Sequence, residues 1–429
     1  MKKNLSWGNL PIEKDIEILD YDKKFFNKSE IKILTHGKGR SYGDVCLNTR
    51  LLSLANHKKF LKVDKDNSLL TCSSNLTIKE VLNEIVPKGY FLPVVPGTQN
   101  ITIGGAIAND IHGKNHHTSG SIGNFVKSIE LHRSDIGMIT CDENNNKSVF
   151  NSTIGGLGLT GTIISITIEL KTINSIYMET VSKKFYSFKE FIELNNNFEK
   201  NYEYCVGWLD LVNLRKGSFR GVLLAGNHLN NETDKVNILK KSRQISFPLT
   251  LPFSLINKIT IKILNSLYFA INKEKKSTKQ TYRSFFFPLD IINNWNKAYG
   301  KNGFFQYQFV VPSKYAESFI SKFIEILNEN NQTPALTVLK KFGSIQSIGN
   351  LSFPREGVTL AIDFPNKGNS TLKFLQLLDK LVISHEGALY PAKDARMSKE
   401  IFEKSFPNKN IFKRDIDPLF SSFFWERVK

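Results

Sequence analysis

The run His36-Gly37-Lys38-Gly39-Arg40-Ser41-Tyr42-Gly43-Asp44, directly behind an expected strand Ile31 to Leu34, restricts this chain more than any other stretch. Three glycines in seven residues let consecutive backbone N–H groups turn to one side, forming a nest for a pyrophosphate. A tight turn without function uses glycines in the same way, so the loop alone leaves both readings open. Its spacing is G-x-G-x-x-x-G, one residue longer than the dinucleotide fingerprint, and strand rather than helix follows. A second run, Gly156-Leu157-Gly158-Leu159-Thr160-Gly161, matches that fingerprint by letter but leads into the alternating stretch Thr162 to Leu170. With no helix behind it there is no dipole end for a phosphate, which rejects NAD binding in the Rossmann manner. The same glycines can still let backbone lie against a flat cofactor.

A third segment runs from Pro96-Gly97-Thr98 through Thr102-Ile103-Gly104-Gly105-Ala106 to Asn109-Asp110-Ile111-His112-Gly113-Lys114-Asn115-His116-His117. Small residues permit close approach there, and the polar end offers acid, base and phosphate contacts. His112 and His116 are four apart, as on a zinc-binding helix, but Gly113 follows where the zinc pattern needs Glu, so no metal is expected.

Around these loops the chain reads as α+β. Short strands are expected at Leu51 to Leu54, Ser68 to Cys72 and Thr162 to Leu170, and a helix at Thr77 to Val86 capped by Thr77 with Glu80 three residues on. Beyond about residue 173, aromatic, Lys and Asn content rises, with strands at Gly221 to Ala225 and Gln306 to Val311 and a helix at Lys314 to Asn328. A length of 429 residues suits two intertwined domains. The expected division is 1–172, 173–387 carrying an antiparallel sheet, and a tail, 388–429, returning to the first domain. The cysteines Cys46, Cys72, Cys141 and Cys205 are scattered, without the spacing of a disulfide framework or zinc knuckle. The first residues carry Lys2 and Lys3 but no apolar run behind them, so a cytoplasmic location is expected.

The formal charge of +18 admits nucleic acid, an anionic membrane or an acidic ligand. Between Glu232 and Arg283 eleven Lys or Arg face three acids, flanking the most apolar stretch of the chain. Pro248, Pro252, Lys258 and Lys262 interrupt that stretch, so it does not span a bilayer. Lys258, Lys262 and Asn265 recur at helical spacing beside Ile259, Ile263 and Leu267, which suits either an interfacial helix on anionic lipid or a buried amphipathic one. No nucleic-acid motif accompanies the charge.

Together these segments resemble the FAD-binding domain of the vanillyl-alcohol-oxidase superfamily. Within it the chain is most similar to the oxidase subunit family of decaprenylphosphoryl-β-D-ribose 2′-epimerase. The loops and Gly158-Leu159-Thr160-Gly161 carry the wider resemblance. The narrower one rests on His112-Gly113-Lys114-Asn115-His116-His117 and Tyr390-Pro391-Ala392-Lys393-Asp394-Ala395-Arg396. Trp208-Leu209-Asp210, Pro288-Leu289-Asp290, Gln306-Tyr307-Gln308-Phe309-Val310-Val311-Pro312 and Asp363-Phe364-Pro365 match in order, covering nearly the whole chain. Two departures stand out: Ala361 sits where mycobacterial relatives carry Cys, and Thr359 replaces a polar residue expected to face substrate.

The resemblance implies FAD held along Gly37, Lys38, Gly39, Arg40, Ser41, Tyr42, Gly43 and Asp44 of the first loop. Gly97, Thr102, Gly104, Gly105, Asn109, Asp110 and His112 would follow, then Gly158, Gly161, Ile163 and Tyr390. Arg40 stands where covalent relatives place a histidine, so the flavin is expected to be non-covalent, and His36 reads as a packing residue. Lys393 is the first catalytic candidate, with Tyr42, His112 and Lys114 beside it. Trp208, Gln306, Gln308, Lys114 and Lys393 would meet the substrate; strand alternation puts Gln306 and Gln308 on one face. The implied reaction oxidises a secondary hydroxyl, at C2, of a polyprenyl-phosphate-linked pentose such as decaprenylphosphoryl-β-D-ribose. It would form the first half of an epimerisation in cell-envelope glycan synthesis. A separate short-chain reductase would complete it, with the oxidase peripheral to the inner face of an anionic membrane. The alternative is an oxidase of a soluble polyol, aldonolactone or nucleotide-linked sugar.

Overall fold

The computed structural model describes residues 5–22, 31–215, 218–230 and 244–429. Two antiparallel sheets dominate it. The first runs Leu61–Asp64, Leu69–Ser73, Thr162–Glu169, Val126–Arg133, Gly137–Asp142, with the alternating stretch as its middle strand. Helix Ile78–Ile85 packs on it through Ile78, Val81, Leu82 and Ile85, and begins in a capping box between Thr77 and Glu80.

A small parallel sheet of Glu17–Asp20, Arg50–Ser53 and Leu34–His36 carries the first glycine loop. Its strand begins three residues later than the sequence suggests. Ile33 pairs only as a bridge with Phe420 of the tail, so the sheet register starts at Leu34 opposite Leu51.

The second sheet has eight strands: Lys275–Thr281, Tyr177–Phe185, Ser218–His228, Tyr204–Arg215, Thr337–Phe342, Gly357–Pro365, Phe304–Val311, Ala388–Leu389. Tyr307 and Phe309 point into a core shared with Phe319 and Phe323 of helix Ala316–Glu329, whereas Gln306 and Gln308 take the opposite face. Period-two alternation thus separates core from site on one strand.

The tail runs back along the first loop. The amide of Tyr42 donates to the Ala392 carbonyl, that of Phe423 to Leu47, and that of Ser421 to Ile33. Arg427 bridges Asp44 and Asp394 at 2.7 and 3.3 Å. Gly43 is needed for this approach, since a Cβ there would lie 1.8 Å from the Asp394 carbonyl oxygen.

Helix Lys258–Ile271 lies on the outside, burying Ile261 and Phe269 but leaving a second apolar side outward: Ile259 is 72% and Ile271 74% exposed, and Ile263, Leu264 and Leu267 are also exposed. Asn265, expected on the polar outer face beside Lys258 and Lys262, is instead buried and donates to Asp210 at 2.9 Å. The buried Asp210 carboxylate, also bound to Arg220, needs donors, and Asn265 supplies one. The basic residues Lys235, Lys240, Lys241 and Arg243 of the charged stretch lie outside the described residues. Among the described residues no helix is long and apolar enough to cross a membrane.

Candidate flavin and substrate site

A cleft enclosing about 1750 Å³ of space, part of it open to solvent, lies between the glycine loops and the inner face of the eight-stranded sheet. One wall is backbone. Gly37, Gly39, Gly105 and Gly158 line it, and Gly158 adopts φ +76°, where even a Cβ would come no closer than 3.8 Å to a neighbouring side chain. Thr102 caps the short helix Ile103–Ala108, its hydroxyl accepting from the Gly105 amide at 3.2 Å, and a Cβ on Gly37 would strike that hydroxyl. An adjoining recess carries Gly104, Gly161 and Ile163. Asp290 secures the Pro96–Asn100 turn, accepting from the Thr98 hydroxyl at 2.7 Å and the Gln99 amide at 2.8 Å.

The opposite wall is side chains. Gln306, Gln308, Val338, Lys340 and Ala361 project from three adjacent strands, and Lys393 arrives from the turn Pro391–Lys393. The Lys393 ammonium lies 4.0 Å from the centre of the Tyr42 ring. Burial lowers its pKa to about 8, against an opposing pull from Asp363. Lys340 is driven well below its ordinary value by burial and by Lys114 and Lys393.

His112 is buried and held neutral by desolvation and the neighbouring lysines. Lys340 Nζ lies 2.9 Å from its Nδ1 and donates to the Gly113 carbonyl at 3.2 Å. The Gln308 Nε2 lies 2.9 Å from the other ring nitrogen, Nε2. Gln308 Nε2 also donates to the Thr359 hydroxyl at 3.3 Å.

The cavity thus gathers Gly37, Lys38, Gly39, Arg40, Ser41, Tyr42, Gly97, Thr102, Asn109 and Tyr390 of the expected cofactor set. It does not gather the whole set. Gly43 and Asp44 face the tail, as described above. Asp110 is fully buried behind the loop, accepting from Ser121 and from the Gly123 amide, both at 2.9 Å. Lys114 lies beyond the cavity wall: its ammonium donates to the Phe286 carbonyl at 3.1 Å, over Phe285 and Phe286. Trp208 packs on Tyr268 of the outer helix, ring centres 4.5 Å apart, instead of lining the cavity. His36 bonds the Cys46 carbonyl at 2.9 Å yet also borders the adjoining recess. His116 accepts from the Gly343 amide at 3.1 Å, so the two spaced histidines do not converge.

Sequence reasoning missed Lys340. Its signal was present in Thr337-Val338-Leu339-Lys340-Lys341-Phe342, where alternation puts Lys340 on the face opposite buried Leu339. Trp7 and Trp295, in edge contact at 5.5 Å, were missed too, because nothing local ties residue 7 to residue 295.

The cavity fits FAD. Arg40 Nε and Asn109 Oδ1 are buried in its lining without a hydrogen-bond partner among the described residues, a costly state that a polar ligand would relieve. Arg40 itself lies over the Trp7 ring at 4.0 Å. A glycine cradle facing amides and cations is the site of a flavoprotein oxidoreductase.

Comparison with known proteins gives the same class. Residues 23–142 match the FAD binding domain family. The chain is 32% identical over 416 residues to decaprenylphosphoryl-β-D-ribose oxidase of Mycolicibacterium smegmatis, covering 92% of this chain and 89% of that protein. Shorter matches reach D-lactate dehydrogenase of Archaeoglobus fulgidus, 27% identical over 34% of this chain and 35% of that protein, and L-gulonolactone oxidase of Mus musculus, 24% identical over 32% and 31%. The chain belongs to the decaprenylphosphoryl-β-D-ribose oxidase family, and its cofactor is FAD.

Proposed function

We propose that this protein oxidises the C2 hydroxyl of a polyprenyl-phosphate-linked pentose, such as decaprenylphosphoryl-β-D-ribose, to the keto sugar. A separate short-chain reductase then completes an epimerisation in cell-envelope glycan synthesis. The observation that carries this reading is the wall where Gln306, Gln308, Lys340 and Lys393 face the glycine cradle. Carboxamides suit sugar hydroxyls, and lysines suit a phosphate.

Bound FAD supplies the acceptor for the hydride released from C2. Lys393, with a pKa of about 8, has an appreciable neutral fraction near neutrality and takes the hydroxyl proton. Lys340 supports the phosphate. Neutral His112 holds Gln308 in place. Arg40 and Asn109, with unmet hydrogen-bonding capacity, hold the cofactor without a covalent link.

The same reading places the enzyme peripherally on the inner face of an anionic membrane. The outward apolar side of helix Lys258–Ile271, with exposed Lys258 and Lys262, suits a bilayer surface. Its surroundings reach the cavity mouth, because Ile245–Ser246 pairs with Ile292–Asn293, and Ile292 and Trp295 line the cavity.

Anaerobic visible spectra of the FAD-loaded protein test the substrate. Bleaching by a short-chain prenylphosphoryl ribose, and none by L-gulonolactone, is expected. The reverse selectivity would establish a soluble-sugar oxidase instead.

A further inference from the structure

Among the described residues the Lys393 ammonium makes no hydrogen bond and no ion pair; its contact in the cleft is with the face of the Tyr42 ring. Its aim is therefore set by the backbone that carries it. Upstream, the Tyr390 amide donates to the Gln308 carbonyl at 2.9 Å and the Tyr42 amide to the Ala392 carbonyl at 3.0 Å. Downstream, Asp394 closes the turn, accepting from the Arg396 and Met397 amides at 2.9 and 2.8 Å. Arg396 then makes a two-pronged ion pair with Asp379 of helix Asn369–Ser384, at 2.5 and 2.6 Å.

That pair sits in an apolar core. Asp379 is buried on the helix face that carries Leu375, Leu378 and Val382, and the Arg396 guanidinium lies 5.5 Å from the centre of the Tyr307 ring. The Tyr307 hydroxyl donates to Asp379 at 3.0 Å. Tyr307 stands between Gln306 and Gln308 on one strand and points into the core, while they point into the cleft. One carboxylate thus joins the back of the amide-bearing strand to the turn that bears Lys393. Buried ion pairs are poor sources of stability, since removing both charges from water offsets their attraction and apolar side chains fill such space about as well. What this pair adds is a fixed geometry, because a guanidinium fork on a carboxylate admits essentially one arrangement. We propose that Tyr307, Asp379 and Arg396 are positioning residues that fix Lys393 relative to Gln306 and Gln308, holding the proton acceptor at its place beside the substrate hydroxyl. The inference rests on the oxidation proposed above.

Loss of this clamp lets the turn shift and water reach the ammonium. Burial holds Lys393 at a pKa of about 8, so release raises it toward the ordinary lysine value. The charged and titratable groups facing Lys393 are Asp363, Lys340, His112 and Tyr42, and no side chain of the clamp forms a hydrogen bond or ion pair with them among the described residues. A network serving the fold alone would change Tm and leave the titration of Lys393 where it is.

Two variants of the FAD-loaded protein separate these cases. Tyr307→Phe, Asp379→Leu and Arg396→Met combined remove the whole clamp and leave no member of it buried without a partner, so the fold is expected to survive. Arg396→Lys keeps the charge and loses the fork, and it carries the test if the triple variant does not fold. In stopped-flow reduction by a short-chain prenylphosphoryl ribose, the triple variant should lose about a hundredfold in limiting rate and Arg396→Lys about tenfold, the scale set by misplacing a reacting group by about 1 Å. Competitive acetylation without any sugar, followed at Lys393 by peptide mass spectrometry across pH, reads the lysine itself. Its midpoint should lie near pH 8 in the wild type. In both variants it should move up by about one unit or more, toward an exposed lysine. An unchanged Lys393 midpoint, or a wild-type limiting rate, in either folded variant overturns the proposal. A wild type unreduced by the glycoside, with the midpoint shift present in the variants, refutes the sugar assignment alone.

Discussion

Lys114, Lys340 and Lys393 are held near one another with little water, and each has a lowered pKa because burial disfavours the ammonium. A cluster of this kind opposes folding and serves ligand binding. Replacing Lys340 with Met should stabilise the apoprotein by about 1–2 kcal/mol near neutral pH while weakening binding of the phosphorylated sugar. The sign follows from linkage: the unfolded chain keeps the lysine proton up to about pH 10, the folded one loses it earlier, and stability rises with pH between the two. The gain in Lys340→Met should therefore shrink as pH rises, which denaturant titration at two pH values measures. Lys393→Ala should abolish substrate-dependent bleaching of the flavin without unfolding the protein. Lys127→Ala is the control, since Lys127 is exposed and paired with Glu169 at 2.8 Å, away from the cavity. Arg40 offers no nucleophile for a flavin bond, so acid precipitation should release all the FAD into the supernatant; colour left in the pellet would refute a non-covalent cofactor.

At the scale of elements, helix Lys258–Ile271 exposes more apolar side chains than it buries. Its polar Asn265 is inside, bound to Asp210, beside Ile261 and Phe269, while Ile259, Ile263 and Ile271 are outside. Sequence periodicity identified the helix but not which face it buries, because a hydrophobic stripe looks the same against a core or a bilayer. Each cation near an anionic surface adds roughly 1 kcal/mol, so binding should be reversible and salt-sensitive. The protein should sediment with anionic vesicles at low salt, less at high salt, and less again with Lys258→Glu and Lys262→Glu. Equal recovery in the supernatant under all three conditions would leave the exposed face to some other partner.

Across the whole molecule, the site depends on joining the two ends of the chain. The Tyr42 amide reaches Ala392, and Arg427 closes on Asp44 and Asp394, so the tail sets the position of the first glycine loop. Gly43→Ala would force a Cβ against the Asp394 carbonyl and should cost about 1–3 kcal/mol. It should also loosen FAD, seen as faster flavin loss on dilution alongside a lowered Tm. Gly43 and Asp44 would then matter for the cofactor through the tail they hold, without lining the cavity themselves.

Local chemistry determined much of this protein from sequence. The capping box at Thr77, the alternation along Thr162–Glu169 and the cavity-facing pair Gln306 and Gln308 follow from periods of 3.6 and 2 and from short-range hydrogen bonding. The glycine loops announced a backbone cradle because few other residues permit one. Contacts between distant residues were left to the tertiary structure. It placed Lys114 and Trp208 beyond the cavity wall, brought Lys340 to His112 across 228 positions, and set Asp363 behind Gln306 across 57. Sequence spacing constrains neighbours along a helix or strand, whereas the meeting of separate strands is decided by how the sheets close on a shared core.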